Sequence, residues 1–219
     1  MMPGVPGVRE TLPEGGRVFL VDDDASVRRA LTRLLKAGGL DVESFPSADA
    51  LLAALETQEP SCVVADLRMP GLSGLDLQDE LARRGVDLPL LFISGRADVT
   101  SSVRAMKGGA VDFLQKPFDD DDLIAAVQRA LGLSRQQRVE SAARHEIEHR
   151  VRTLTPRERQ VLEAVSKGML NKQIAAELGA AEKTIKIHRG RVMQKMQAGS
   201  VADIVRMTER LASPGGPTP

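Results

Sequence analysis

The chain has 219 residues, and its single cysteine, Cys62, excludes an internal disulfide and a cysteine zinc cluster. Only 2% of the residues are aromatic, which disfavours base stacking on aromatic side chains. No apolar run approaches the roughly 18 residues that span a membrane, and residues 1–16 lack a signal-peptide core, so we expect a soluble, cytoplasmic protein. The net charge of zero is divided unevenly: residues 1–132 carry 14 Lys and Arg against 21 Asp and Glu, and residues 133–219 carry 16 against 9, which favours two domains with different partners.

The first domain is predicted over residues 17–132, after a Pro- and Gly-rich tail at 1–16 that we expect to be disordered. Short apolar runs predict strands at 18–21, 41–45, 62–65, 88–93 and 111–114. Amphipathic patterns predict helices near 27–35, 47–58, 75–84, 99–107 and 121–131. Five strand–helix units in succession predict an α/β fold with a doubly wound, five-stranded parallel sheet.

Residues 133–152 are strongly polar and contain few turn-forming residues, so we predict a helical linker that continues the last helix of the first domain. Val139, Ala143, Ile147 and Val151 recur at every fourth position of this segment. The stripe is short, and two interpretations stay open: a solvated helix and a dimerising helix pair.

Residues 153–212 show helical patterns only, and a second Pro- and Gly-rich tail follows at 213–219. The segment 155–158 (TPRE) predicts a capping box with Pro at the first helical position, and Asn171 is placed to cap a short second helix. A longer basic helix over 182–196 and a fourth helix follow. A short helix, a tight turn and a longer basic helix predict a small all-α domain with a helix-turn-helix.

Polar residues follow four of the predicted strands at their carboxyl ends. They are Asp22–Asp24, Asp66, Ser94 and Lys116. In a doubly wound sheet, ligands collect at this edge, and clustered carboxylates there suit Mg²⁺. The ion and Lys116 would offset the charge of a phosphoryl group that is transferred to Asp66 as nucleophile. The alternative is that these acids are solvated loop caps, which would suit any one of them alone.

Four segments at this edge resemble the signature segments of response-regulator receiver domains, which have a flavodoxin-like sheet. They are VDDD at 21–24, ADLRMPGLSG at 65–74, ISG at 93–95 and QKPF at 115–118. The resemblance implies that Asp66 accepts a phosphoryl group from a sensor histidine kinase. It also implies that Asp23, Asp66 and the backbone carbonyl of Arg68 bind Mg²⁺ directly, and that Asp22 contributes through a water molecule.

The same resemblance assigns the residues that respond to phosphorylation. It implies that Ser94 moves toward the phosphoryl group, that Phe113 changes rotamer with Ser94, and that Lys116 binds the phosphoryl group. The bond between Lys116 and Pro117 is expected to be cis. Asp24 departs slightly from the receiver pattern, because relatives often carry Glu at this position.

Residues 153–211 resemble the LuxR-type helix-turn-helix of NarL/FixJ response regulators, through LTPRE at 154–158, NKQIA at 171–175 and EKTIKIHR at 182–189. The string HRGRVM at 188–193 points to the FixJ-like branch. We expect Ile185, Val192 and Met196 to face inward. The resemblance places Lys186 and Ile187 toward bases, with Thr184 and His188 toward the DNA backbone. The full predicted DNA-contact set is Lys172, Gln173, Lys183, Thr184, Lys186, Ile187, His188, Arg189 and Arg191.

Gly190 interrupts the basic helix, where glycine costs roughly 1 kcal/mol relative to alanine. Other members of the wider family carry a base-reading side chain at this position. Gly190 either permits close approach of the backbone to DNA or shifts specificity onto Arg189 and Arg191. The sequence leaves both interpretations open.

Together these features predict a phosphorylation-dependent transcriptional regulator rather than an enzyme. We expect phosphorylation to pull Ser94 and Phe113 inward, to favour a homodimer through residues 97–116, and so to promote binding of promoter DNA. RNA polymerase is a further expected partner. A phosphatase with Asp66 as nucleophile is the alternative, but such hydrolases commonly carry a second Asp two residues later, where this chain has Arg68.

Overall fold

The computed structural model describes residues 16–55, 60–95 and 99–212. The chain divides into two compact units, Met1–Gln137 and Arg138–Pro219. Both predicted tails lie outside the described residues, apart from Gly16. No helix in the described part of the chain is long and apolar enough to cross a membrane.

The N-terminal unit contains a five-stranded parallel sheet in the order β2-β1-β3-β4-β5. Its strands are β1 (Arg17–Val21), β2 (Asp41–Phe45), β3 (Ser61–Asp66), β4 (Leu90–Ser94) and β5 (Asp112–Gln115). Its helices are α1 (Ala25–Ala37), α2 (Ala48–Ala54), α3 (Gly74–Arg83), α4 (Val99–Lys107) and the first part of α5 (Asp120–Arg152). This order confirms the predicted doubly wound fold, with the chain reversing direction across the sheet between β1 and β3.

Helices cover both faces of this sheet, which is why the central strands β1, β3 and β4 are apolar except at strand ends, where Arg17, Ser61, Asp66 and Ser94 lie. On β1, Val18 and Leu20 belong to the core that includes α1 and α5, whereas Phe19 and Val21 belong to the core that includes α2, α3 and α4. Cys62 is fully buried in the first of these cores, and burial raises the pKa of its thiol to about 12. The cysteine is therefore a packing residue.

Helix α5 joins the predicted last receiver helix and the predicted linker into one element of 33 residues. Ser134 is buried in the N-terminal unit, where its Oγ accepts a hydrogen bond from the Ser61 N–H at 3.0 Å. Ile147 is buried in the core of the C-terminal unit, and Val151 packs against that core. Val139 is 70% exposed. The predicted apolar stripe is thus divided, because its last two members are already covered within the C-terminal unit.

The described part of the C-terminal unit, which ends at residue 212, adds four helices to α5, as predicted. They are α6 (Pro156–Ser166), α7 (Asn171–Glu177), α8 (Glu182–Lys195) and α9 (Val201–Ala212). Ile185, Val192 and Met196 are fully buried, which confirms the predicted inner face of α8. Gly179 has a φ of +61° and forms the turn between α7 and α8, a conformation that glycine adopts without steric cost. Helices α7 and α8 form the helix-turn-helix.

The predicted capping box at the start of α6 is confirmed. The Thr155 hydroxyl accepts from the Glu158 N–H, and the Glu158 carboxylate accepts from the Thr155 N–H at 2.9 Å. Glu158 is buried, and it also accepts from Lys195 Nζ at 2.7 Å. The bond from Lys195, followed by that from the Thr155 N–H, holds the pKa of Glu158 at about 2. One carboxylate therefore fixes the end of α8 to the beginning of α6.

The prediction that Asn171 caps α7 is wrong. Leu170 occupies the cap position, and its N–H donates to Gln173 Oε1 at 2.7 Å. The Asn171 side chain is engaged elsewhere, because its Oδ1 accepts from Arg189 Nη1 at 3.0 Å. The Asn171 side chain therefore makes a contact with another helix instead of capping α7, as local capping rules would predict.

We expect Glu158→Ala to lower the free energy of unfolding of the C-terminal unit by about 1–3 kcal/mol, because the Thr155 N–H and Lys195 lose a buried acceptor. Since the folded-state pKa lies below the ordinary 4.5, the contribution of Glu158 is complete above pH 4.5 and is lost as the pH falls toward about 2. Amide hydrogen exchange in α6 of the full chain, followed across this pH range, measures both effects.

The matched control is Glu163→Ala on the same helix. Glu163 pairs with Lys167 at 2.7 Å, but both side chains are more than half exposed, so we expect little change. Equal responses of the two variants would contradict the role assigned to Glu158.

Candidate phosphoryl-acceptor site and nucleic-acid interface

Four strands of the sheet end together, and we call the place where β1, β3, β4 and β5 end the carboxyl edge. Asp22 follows β1 directly, Asp66 and Ser94 are the last residues of β3 and β4, and Lys116 follows β5. The parallel register brings these positions level: Val21 lies opposite Ala65, Asp66 opposite Ile93, and Ser94 opposite Gln115. The predicted convergence of polar residues is therefore a direct result of strand pairing.

Lys116 connects the acidic residues of the carboxyl edge. Its Nζ donates to Asp22 Oδ2 and to Asp66 Oδ1, at 3.1 Å in each case. Burial raises the pKa of Asp22 above 3.8, although the hydrogen bond from Lys116 works in the opposite direction. Burial alone would lower the pKa of Lys116, but its bonds to the two carboxylates outweigh this effect and raise the pKa above 10.5. The ammonium group therefore stays charged and holds both carboxylates.

Backbone N–H groups orient the remaining carboxylate oxygens. Asp66 Oδ2 accepts from the Arg68 N–H at 2.9 Å, and Asp22 Oδ1 accepts from the Asp24 N–H at 2.8 Å. Asp24 itself caps α1, since its Oδ1 accepts from the Ser26 N–H at 2.7 Å. Asp24 is thus a structural member of the acidic run, separate from Asp22 and Asp23.

Arg28 was missed by the sequence analysis. Its Nη1 donates to the backbone carbonyls of Asp22 and Asp23, at 2.7 and 2.9 Å. Side chains in a helix lean toward its N-terminus, so a cation in the first turn after an acidic loop is placed to bind that loop. The position of Arg28 one helical turn after the acidic loop was therefore the sequence signal that could have identified it.

The predicted magnesium ligands lie at the carboxyl edge, with Asp23 exposed beside buried Asp22 and Asp66. Within residues 16–55, 60–95 and 99–212, no three His, Cys, Asp or Glu side chains are grouped closely enough to hold a metal ion. Mg²⁺ commonly takes only one or two protein carboxylates and completes its shell with water and phosphate oxygens. Three carboxylates beside one ammonium leave an excess of negative charge, so the donor set at this edge fits such an ion.

The predicted switch residues lie on β4 and β5. Ser94 is buried, and its carbonyl accepts from the Lys116 N–H at 2.8 Å. Phe113 lies opposite Phe92 in the sheet, is half-buried, and packs against the core that includes α4. The Lys116–Pro117 peptide bond is cis.

The exposed side of the helix-turn-helix carries most of the predicted DNA-contact residues. Those exposed on α7 and α8 are Lys172, Gln173, Lys183, Thr184, Lys186, Ile187 and Arg191. Ile187 is an exposed apolar residue on an otherwise basic surface, with 51% of its area accessible. Leu170, just before α7, is 68% exposed and was not predicted.

Arg189 differs from the other cations of the predicted DNA-contact set, because its side chain makes contacts within the C-terminal unit. It is half-buried, and its Nη1 donates to Asn171 Oδ1 and, more weakly at 3.5 Å, to the Met169 carbonyl. Arg189 is four residues after buried Ile185, so helical periodicity directs it toward the inner side. His188 is also half-buried, and its Nδ1 has no hydrogen-bond partner among the described residues.

A receiver-type sheet with an Asp–Lys carboxyl edge, followed by a helix-turn-helix unit, defines a response regulator with a DNA-binding domain. Residues 18–128 match the family of response regulator receiver domains, and residues 152–208 match that of bacterial regulatory proteins of the luxR family. The chain belongs to the NarL/FixJ-type response regulators.

Relatives cover nearly the whole chain. Nodulation protein W of Bradyrhizobium diazoefficiens is 50% identical over 194 residues, which are 89% of this chain and 86% of that protein. The transcriptional regulatory protein FixJ of Azorhizobium caulinodans is 45% identical, over 90% of this chain and 93% of that protein. These likenesses give no support to the alternative of an aspartyl phosphatase.

Two solved structures show the same architecture. The response regulator StyR has a TM-score of 0.77 and 41% identity, covering 90% of this chain and 99% of that one. Full-length FixJ from B. japonicum has a TM-score of 0.55 and is 42% identical, and the match covers 90% of this chain and 97% of that one.

We expect Lys116→Met to destabilise the N-terminal unit at neutral pH by about 1–3 kcal/mol, because Asp22 then stays buried without its cation. The loss should shrink as the pH falls, since the pKa of Asp22, already raised by burial, rises further and the carboxyl group takes up a proton. Urea titration followed by amide NMR resolves the two units. The control is Lys36→Met, on an exposed lysine of α1; an equal loss in both variants would contradict the role of Lys116.

Proposed function

We propose that this chain is a transcriptional regulator that is switched on by phosphorylation of Asp66. The observation that carries the proposal is the position of the Lys116 ammonium group, between Asp22 and Asp66 at the carboxyl edge. A partly buried cation beside a carboxylate nucleophile suits the transfer of a dianionic group.

In the proposed reaction, a carboxylate oxygen of Asp66 attacks the phosphorus of a phosphohistidine in a sensor histidine kinase. A P–O bond to Asp66 forms, the P–N bond breaks, and the imidazole leaves. Lys116 then offsets negative charge on the phosphoryl oxygens. Asp23, Asp66 and the Arg68 carbonyl would hold Mg²⁺, with Asp22 acting through water, and the ion supplies further positive charge to the phosphoryl group when it is bound.

The proposed switch runs from the carboxyl edge to α4. Ser94 moves toward the phosphoryl group, and Phe113 follows into the space that Ser94 leaves. Residues 97–116 then form the homodimer contact, of which residues 97 and 98 lie outside the described part of the chain. Support comes from three exposed apolar side chains on α4: Val99, Val103 and Met106, which are 81%, 45% and 47% accessible.

The proposed output is binding of promoter DNA by α8, in the cytoplasm, with RNA polymerase as the next partner. Lys186 and Ile187 would face base edges, and cations at the starts of α7 and α8, such as Lys172 and Lys183, would bind phosphates. Dimers would place two copies of α8 in major-groove half-sites about one helical turn apart. The support is the exposed basic surface opposite the buried side of α8.

Intact-mass spectrometry with acetyl phosphate and Mg²⁺ tests the acceptor directly. We expect the wild type to gain one phosphoryl group, Asp66→Asn to gain none, and chelation of Mg²⁺ to abolish the gain. Asp49→Asn, on an exposed carboxylate of α2, is the matched control and should behave as wild type. Modification of Asp66→Asn to the wild-type extent would overturn the assignment of Asp66.

A further inference from the structure

Gly190 lies within α8, where the C-terminal unit gives no structural reason for a glycine. It is exposed, and a Cβ built on it would meet nothing within 4 Å. Its φ is not in the positive region that favours glycine, unlike those of Gly168 and Gly179 in the same unit. The folded protein would therefore accept a side chain at Gly190, and a side chain there would favour the helix.

Gly190 shares a helix face with the predicted base-facing residues. It is four residues after Lys186 and three after Ile187, both exposed, and this spacing places all three on one side of the helix. Buried Ile185 and Val192 lie on the opposite side. The missing side chain thus leaves a recess in the face that would meet DNA.

The structure also bears on the second interpretation of Gly190, in which specificity shifts onto Arg189 and Arg191. Arg189 is turned toward the inner side of α8, where it binds the Asn171 side chain. This bond occupies Nη1 and connects α8 to the start of α7, and the Arg189 side chain is half-buried. Arg189 is therefore less available to a base edge than the exposed Arg191.

We propose that Gly190 is a specificity-determining residue, which lets the groove of double-stranded DNA approach the backbone of α8 more closely than any side chain would allow. The inference rests on the proposed function of α8 in binding DNA. The helix penalty of the glycine would then be offset by contact in the complex, since groups on the floor of the groove, such as a base edge, enter the recess.

The test uses Gly190→Ala and Gly190→Leu in the full chain, treated with acetyl phosphate and Mg²⁺. The probe is a duplex that the wild type selects from random DNA, at fixed salt. We expect Gly190→Ala to raise the Tm of the C-terminal unit by roughly 4 °C. We also expect it to weaken binding roughly tenfold, with a larger loss for Gly190→Leu because the clash grows with side-chain size.

Gly132→Ala is the matched control, because Gly132 is also an exposed helical glycine whose added Cβ would meet nothing within 4 Å. It should leave the affinity unchanged. Unchanged or tighter binding by Gly190→Ala would overturn the inference, and so would equal losses for Ala and Leu, which would indicate helix stiffness instead of contact. If the wild type selects no sequence at all, the proposed DNA binding fails first.

Discussion

The contact between Lys116 and the two carboxylates of Asp22 and Asp66 is the interaction on which the arrangement of the carboxyl edge depends. Two acids at the ends of fully buried strands are costly unless a cation and backbone N–H groups satisfy them. The Lys116 ammonium, the Arg68 N–H and the Asp24 N–H provide these partners. Apolar strands alone would make a stable sheet, but they would not hold a carboxylate ready for a phosphoryl group at one defined place.

The same contact connects the acceptor to the surface that would change on phosphorylation. In the proposed switch, a phosphoryl group on Asp66 would compete for Lys116, which directly follows β5. That strand also carries Phe113, and β5 lies beside β4, where the Ser94 carbonyl accepts from the Lys116 N–H. Under this proposal, a charge added at the carboxyl edge would redistribute hydrogen bonds along β4 and β5, and α4 with its exposed apolar residues lies in contact with β5. The elements are short and in direct contact, so no long-range pathway is required.

Much of this structure could be predicted, because periodicity and strand ends depend on local sequence. Strand β2 and helix α4 have the predicted bounds, and the polar residues at strand ends converge because parallel pairing makes them converge. The predictions that failed concern contacts between separate elements, which local sequence patterns do not show. Asn171 is a preferred residue type for a helix cap, yet its side chain accepts a hydrogen bond from Arg189 on another helix. The Glu158–Lys195 bond was invisible for the same reason, since it joins groups whose separation is fixed only by the fold. Arg28 is different, because it binds a loop only five and six residues before it, and its spacing after that acidic loop was a local signal.

The measurement that most directly tests the account is DNA binding by the wild type and by Asp66→Asn, each with and without acetyl phosphate and Mg²⁺, on DNA from the neighbourhood of the gene. The salt concentration must be fixed, because contacts with phosphates make the affinity depend on it. We expect the phosphodonor to tighten binding of the wild type and to leave the variant unchanged. Equal binding by both proteins, with or without the donor, would contradict control of the helix-turn-helix by Asp66.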